Sequence, residues 1–133
     1  MPVARNDARR TATTVAVVFL SGVAVLCALG LVPVAILWLY LGASALSWVV
    51  YALDKAAARA GRRRTPENTL HLLALIGGWP GALVAQQWLR HKTAKASFLV
   101  VYRVTVVVNV AGLAWLASGH GAWLVENARQ LAG

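Results

Sequence analysis

The sequence predicts an all-α membrane protein of three transmembrane helices plus a re-entrant helical hairpin, and three observations carry that reading. Of 133 residues, 59% are hydrophobic and only 13% charged. The 43 residues between Arg10 and Asp54 hold no charge, and a later apolar stretch is broken at its middle by Gly77-Gly78-Trp79-Pro80-Gly81. Thirteen Lys and Arg against four Asp and Glu give a formal net charge of +9. In a soluble chain that surplus would point to nucleic acid. Here the cations sit in short clusters between long uncharged runs, the pattern of membrane topology, so membrane lipids are the expected partners and direct nucleic-acid contact is not.

A bilayer crossing takes about 20 apolar residues, so the first uncharged run holds two. Gly30 and Pro33 break helix and permit a tight turn, which predicts antiparallel crossings at 14–31 and 34–53. Residues 1–32 read as a retained signal anchor. The apolar core of about 18 residues exceeds the roughly 7–15 of a cleaved signal peptide, and no small-x-small site follows it cleanly. Cys27 is the single cysteine; it excludes an intrachain disulfide and is read as a packing residue.

Lys55, Arg59, Arg62, Arg63 and Arg64 follow the second crossing. The positive-inside rule places that loop in the cytoplasm, together with the N-terminus that carries Arg5, Arg9 and Arg10. Residues 70–89 are apolar again, but their break leaves two halves of roughly 15–18 Å, half a bilayer each. That length suits a hairpin that dips and returns; the alternative is a fourth transmembrane helix. A returning hairpin keeps Arg90, Lys92 and Lys95 inside, whereas a full crossing puts these three cations outside. Broken backbone at that depth requires other helices around it. The last crossing is expected at 97–116. Residues 118–133 are too polar to cross and are expected along the outer interface, which makes 1–133 a single integral membrane domain. Small residues such as Ala24, Ala28, Ala43 and Ser47 permit close helix packing, within one chain or in a homo-oligomer.

The remaining polar side chains fall into two cytoplasmic patches. Thr65-Pro66-Glu67 reads as a helix start, with Thr65 as N-cap and Pro66 at the first helical position. Glu67 and His71, four residues apart, share a helical face. Asp54 is an acid near the end of its helix, disfavoured by the dipole and costly at the membrane border unless paired. Arg90-His91-Lys92-Thr93-Ala94-Lys95 supplies a donor set suited to phosphate or carboxylate. Arg103 lies about 9 Å inside the last helix and reads as a functional intramembrane charge. The candidate anion site is therefore Lys55, Arg64, Arg90, His91, Lys92 and Lys95, beside a candidate polar network of Asp54, Glu67, His71 and Arg103. No metal is expected, because the acids and histidines are not locally spaced and the cations around them repel one. No cofactor is expected either, since the chain has no P-loop, GxGxxG, GxSxG or HExxH pattern.

Asp54-Lys55, Arg64-Thr65-Pro66-Glu67, Leu70-His71, the Gly77 to Gly81 string and Arg90-His91-Lys92-Thr93-Ala94-Lys95-Ala96-Ser97-Phe98 together resemble the bacterial membrane family called domain of unknown function 1294, over residues 51–102. The resemblance implies a small multi-pass protein of the bacterial cell inner membrane. Some family members carry a cold-shock domain ahead of the membrane part, which implies a cytoplasmic N-terminus. It implies no activity. Three readings follow from the residues. The first is a binding or structural component whose cytoplasmic polar cluster engages an anionic group such as a lipid phosphate. The second is a membrane-embedded enzyme with His71 or His91 as general base, oriented by Glu67 or Asp54, while Arg90 and Lys92 stabilise charge. The third is an oligomeric transporter subunit built on the half-helix ends at the glycine break. The surplus of donors over acids favours the first.

Overall fold

A computed structural model of the chain describes residues 2–61, 66–89, 96–118, 126–127 and 129–131, with side chains from Asn6 onward. They form α1 (Pro2–Ala28), α2 (Val34–Arg59), α3 (Glu67–Leu73), α4 (Trp79–Leu89) and α5 (Ala96–Ala117), with a π-helical turn over Ala74–Gly78 joining α3 to α4. The all-α class expected from the sequence is what these residues adopt. Four segments, Asn6–Ala28, Val34–Arg59, Glu67–Leu89 and Ala96–Ala117, are long and apolar enough to cross a membrane. Their outward faces are apolar as well: Val18, Trp38 and Val107 are exposed over 66–67% of their surface. Hydrocarbon is the solvent such a surface requires.

The turn between α1 and α2 is set by local chemistry. Gly30 adopts φ 77°, its N–H donates to the Cys27 carbonyl, and the Leu31 N–H reaches back to Leu26. This is the Schellman closure, followed by the proline that forbids further helix. The Cys27 thiol donates to the Pro33 carbonyl at 3.5 Å across the same turn. Helix α2 then runs past the expected end at residue 53 to Arg59, so Asp54 lies within the helix and not at its end. Pro66 is extended (φ −59°, ψ 142°) and precedes the first helical residue, Glu67. It is therefore a flanking residue and not the first of the helix, and Thr65 lies outside the described residues.

The contacts along α2 define how the broken stretch runs. Gly77, at φ 126°, faces the Tyr40 ring; Gly78 faces Ala43 and Ser47; Gly81 faces Ser44. Further on, the Gln86 amide donates to the Tyr51 hydroxyl at 3.1 Å, and Lys55 donates to the Leu89 carbonyl. Helix α4 thus runs parallel to α2, toward the Lys55 end. The α3 arm runs the other way. His71 stacks on Phe98 with ring centroids 4.6 Å apart, and Phe98 meets Tyr51 at 6.4 Å. His71 and Gln86 would be about 22 Å apart on a straight helix, yet both meet the Tyr51–Phe98 pair. The chain reverses at Gly77.

Close approach makes the reversal possible. A Cβ on Gly78 would meet the Ser47 hydroxyl and lie 2.7 Å from the Ala43 and Leu73 carbonyl oxygens. Hydrocarbon supplies no hydrophobic drive between helices, so dispersion at small-residue contacts and hydrogen bonds hold them. Of the small residues expected to mediate packing, Ala43 and Ser47 are buried at this contact, whereas Ala24 and Ala28 are exposed. Helix α1 closes the other side of α4: Phe19 packs against both Tyr40 and Trp79, at 5.1 and 4.5 Å between centroids. Helix α5 packs against α3 and the π turn and is otherwise largely exposed.

Candidate functional site

Reversing a helix in an apolar medium leaves backbone groups that must be satisfied from elsewhere. Helix α5 supplies them. The Asn109 amide donates to the Leu75 carbonyl at 2.7 Å, and its Oδ1 accepts from the Tyr40 hydroxyl at 2.6 Å and from the Trp79 indole at 3.1 Å. Two turns closer to the Lys55 end, the Tyr102 hydroxyl donates to the Trp79 carbonyl at 2.8 Å. These residues brace the turn. In the sequence Asn109 stands out only as a polar residue within an apolar helix, and nothing local names its three partners.

The Lys55 end carries the ionisable groups. Asp54 is fully buried, as are Tyr51 and Gln86; a buried carboxylate there is tolerable only when compensated. Two cations meet the last described carbonyls of α4. Lys55 of α2 donates to the Leu89 carbonyl, while Arg9 of α1 donates to the Trp88 carbonyl at 3.3 Å and stacks 5.0 Å from the Trp88 ring centroid. The Trp88 indole in turn donates to Thr13 at 3.0 Å. Cations at a helix C-terminus complement its dipole, so Arg9 has a structural task that its position in the sequence reads only as topology.

Beside this clamp lies an open groove of about 550 Å³ lined by Ala52, Lys55, Ala56, Arg59, Ala60 and Leu89. Two cationic side chains over an apolar floor suit an amphiphile with an anionic head. Arg59, which the sequence reading left out of the anion site, is exposed at its edge.

The structure places five of the expected site residues. Asp54, Lys55, Glu67 and His71 lie toward the Lys55 end: Asp54 and Lys55 on the last turns of α2, Glu67 at the start of α3 and His71 one turn on, against Phe98. Arg103 stands apart from them, exposed on α5 while its neighbour Tyr102 is buried. Arg64, Arg90, His91, Lys92 and Lys95 lie outside the described residues. The segments that flank 90–95 are described: Leu89 is held by Lys55, and Phe98 meets His71. Among the described residues, no group of three or more His, Cys, Asp or Glu is placed to hold a metal.

Fold and groove together define a small all-α membrane protein organised around a helix that reverses. Residues 44–98 match the family described as protein of unknown function DUF1294, the family that the sequence motifs resemble. The match takes in Ser44 and Ser47, which face the glycines of the turn and lie upstream of the 51–102 that the motifs mark out. Comparison with curated proteins and with solved structures gave no match.

Proposed function

We propose that the protein is an inner-membrane component that binds the phosphate of an anionic lipid in the groove between α2 and the end of α4. In this reading α3 and α4 form a re-entrant hairpin and the Lys55 end faces the cytoplasm, with the N-terminus on the same side. The groove is the observation that carries it. Arg59 offers a planar fork that matches phosphate oxygens in pairs, and Ala52, Ala56, Ala60 and Leu89 give the first methylenes of a lipid an apolar floor. Residues 54–95 hold eight Lys and Arg against two Asp and Glu. Arg9 and Lys55 donate to the α4 carbonyls, so Arg59 is the groove cation proposed to meet an external anion. The general-base reading draws less support, since the His71 ring lies against Phe98 and lines neither this groove nor the cavity under the turn.

Orientation has a direct test. The lysines are Lys55, Lys92 and Lys95, and a re-entrant hairpin puts all three in the cytoplasm. An amine reagent that cannot pass the bilayer is expected to modify none of them in intact spheroplasts and all three loop-facing amines after lysis. Modification of Lys92 or Lys95 from outside means a full crossing instead. For the lipid, protein purified with native lipids is expected to retain anionic phospholipid. Arg59→Ala, alone and with Arg90→Ala and Lys92→Ala, is expected to lose it by about fivefold per cation, the factor for roughly 1 kcal/mol each at an anionic surface. Equal retention by parent and variants ends the reading.

A further inference from the structure

The hairpin reaches only as far as Gly77, level with Tyr40, while α2 and α5 both continue toward the Gly30 end. Between their outer halves, directly under the turn, lies an open cavity of about 290 Å³ whose walls include Ile36, Leu39, Ile76, Val108, Leu113 and Leu116. We infer that this cavity seats one acyl chain of a phospholipid from the leaflet at the Gly30 end. The inference rests on the membrane reading and is independent of the anionic headgroup proposed above.

The chemistry of the lining selects an apolar occupant. Leu75, Tyr40 and Asn109 supply the polar atoms at the roof, and these are bonded to one another: Asn109 accepts from Tyr40 and donates to the Leu75 carbonyl. A polar ligand would have to break those bonds. An apolar cavity does not hold water, and an unfilled one forfeits dispersion along every wall. Shape then separates a lipid chain from a second copy of this protein. From Val108 to Leu116 the α5 wall is about 12 Å long. Apart from Gly112 and the hydrogen-bonded Asn109, every wall residue is valine or larger, so the wall lacks the small-residue stripe that lets a second helix approach closely. An extended polymethylene chain needs no such stripe.

Gly112 provides the plug for a test. A Cβ there meets nothing within 4 Å, so a larger side chain fills the cavity without entering the core, and replacing glycine inside a helix favours the fold. The full chain is reconstituted in phosphatidylcholine vesicles that contain a trace of phospholipid with a photoactivatable diazirine on its acyl chain, and adducts are mapped by mass spectrometry. Adducts are expected to concentrate on Leu39, Ile76 and Val108. They are expected to be lost from those positions in Gly112→Phe, and in Val108→Trp as a second plug, while labelling of the outward-facing Val17 and Val18 on α1 stays unchanged. Adducts spread evenly over α1 and α5, or groove adducts that survive both plugs, overturn the inference. So does a dimer in native mass spectra that both plugs dissociate, because the cavity then belongs to a second copy. The vesicles carry no anionic lipid, so failure here leaves the Arg59 reading untouched.

Discussion

Gly81→Ala is expected to abolish the native fold. The added methyl would lie 2.6 Å from both the carbonyl carbon and the Cα of Ser44, against the 3.5–4.0 Å or so at which carbon atoms rest. These are backbone atoms of α2, so no change of rotamer relieves the contact. The two helices have to part by about 1 Å, and everything in register along them parts too: Gly78 from Ser47, Gln86 from Tyr51, the Leu89 carbonyl from Lys55. Ordinary overpacking costs about 1–3 kcal/mol. Here the strain falls on the contact that positions the hairpin, and a cost above about 4 kcal/mol is expected, a large share of the roughly 5–15 kcal/mol that holds a domain folded. Gly42→Ala is the matched control. It lies on α2, the helix that Gly81 packs against, its Cβ meets nothing within 4 Å, and it is expected to gain up to about 1 kcal/mol from helix propensity. Thermal unfolding in detergent, followed by loss of the monodisperse species, reads both. A Gly81→Ala protein that melts with the parent removes the claim that this glycine sets the helix spacing.

That contact also shows what a single sequence discloses. The break was legible, because three glycines and a proline inside an apolar stretch have few physical readings. Ala43 and Ser47 were legible as packing residues, but not as the partners of Gly78, since composition gives a tolerance for close approach and no address. Depth was readable and facing was not. Arg103 counts as about 9 Å into its helix by rise per residue, yet α5 is so uniformly apolar that no periodicity marks a buried face. Its burial pattern, with Phe98 and Tyr102 in and Arg103 out, comes only from packing. Arg9 illustrates the complementary case. A basic residue ahead of a first crossing reads as topology, and its contact with Trp88 depends on α4 returning to the end from which α3 set out.

Asn109 is where the reversed helix meets its largest polar debt, and Asn109→Leu is expected to cost about 3–4 kcal/mol. The substitution keeps the branching at Cγ and removes three hydrogen bonds, those with Leu75, Tyr40 and Trp79. Bonds between membrane helices average only about 0.6 kcal/mol, with a maximum near 1.7, so the three together account for about 2. The rest comes from the Leu75 carbonyl. Two residues before a glycine at φ 126°, it lies at the π turn where the regular helical ladder is interrupted, and stranding it adds about 1–3 kcal/mol. A double-mutant cycle separates this account from simple loss of packing. Tyr40→Phe keeps the ring against Phe19 and deletes the hydroxyl, so in the parent it is expected to destabilise by about 1 kcal/mol. In the Asn109→Leu background the same hydroxyl has lost its acceptor, and Tyr40→Phe is expected to be neutral or stabilising. That change of sign is the diagnostic result, measured as unfolding midpoints of the four proteins in one detergent. Additive losses would mean that Asn109 acts through its bulk, and that the backbone at the turn is satisfied without it.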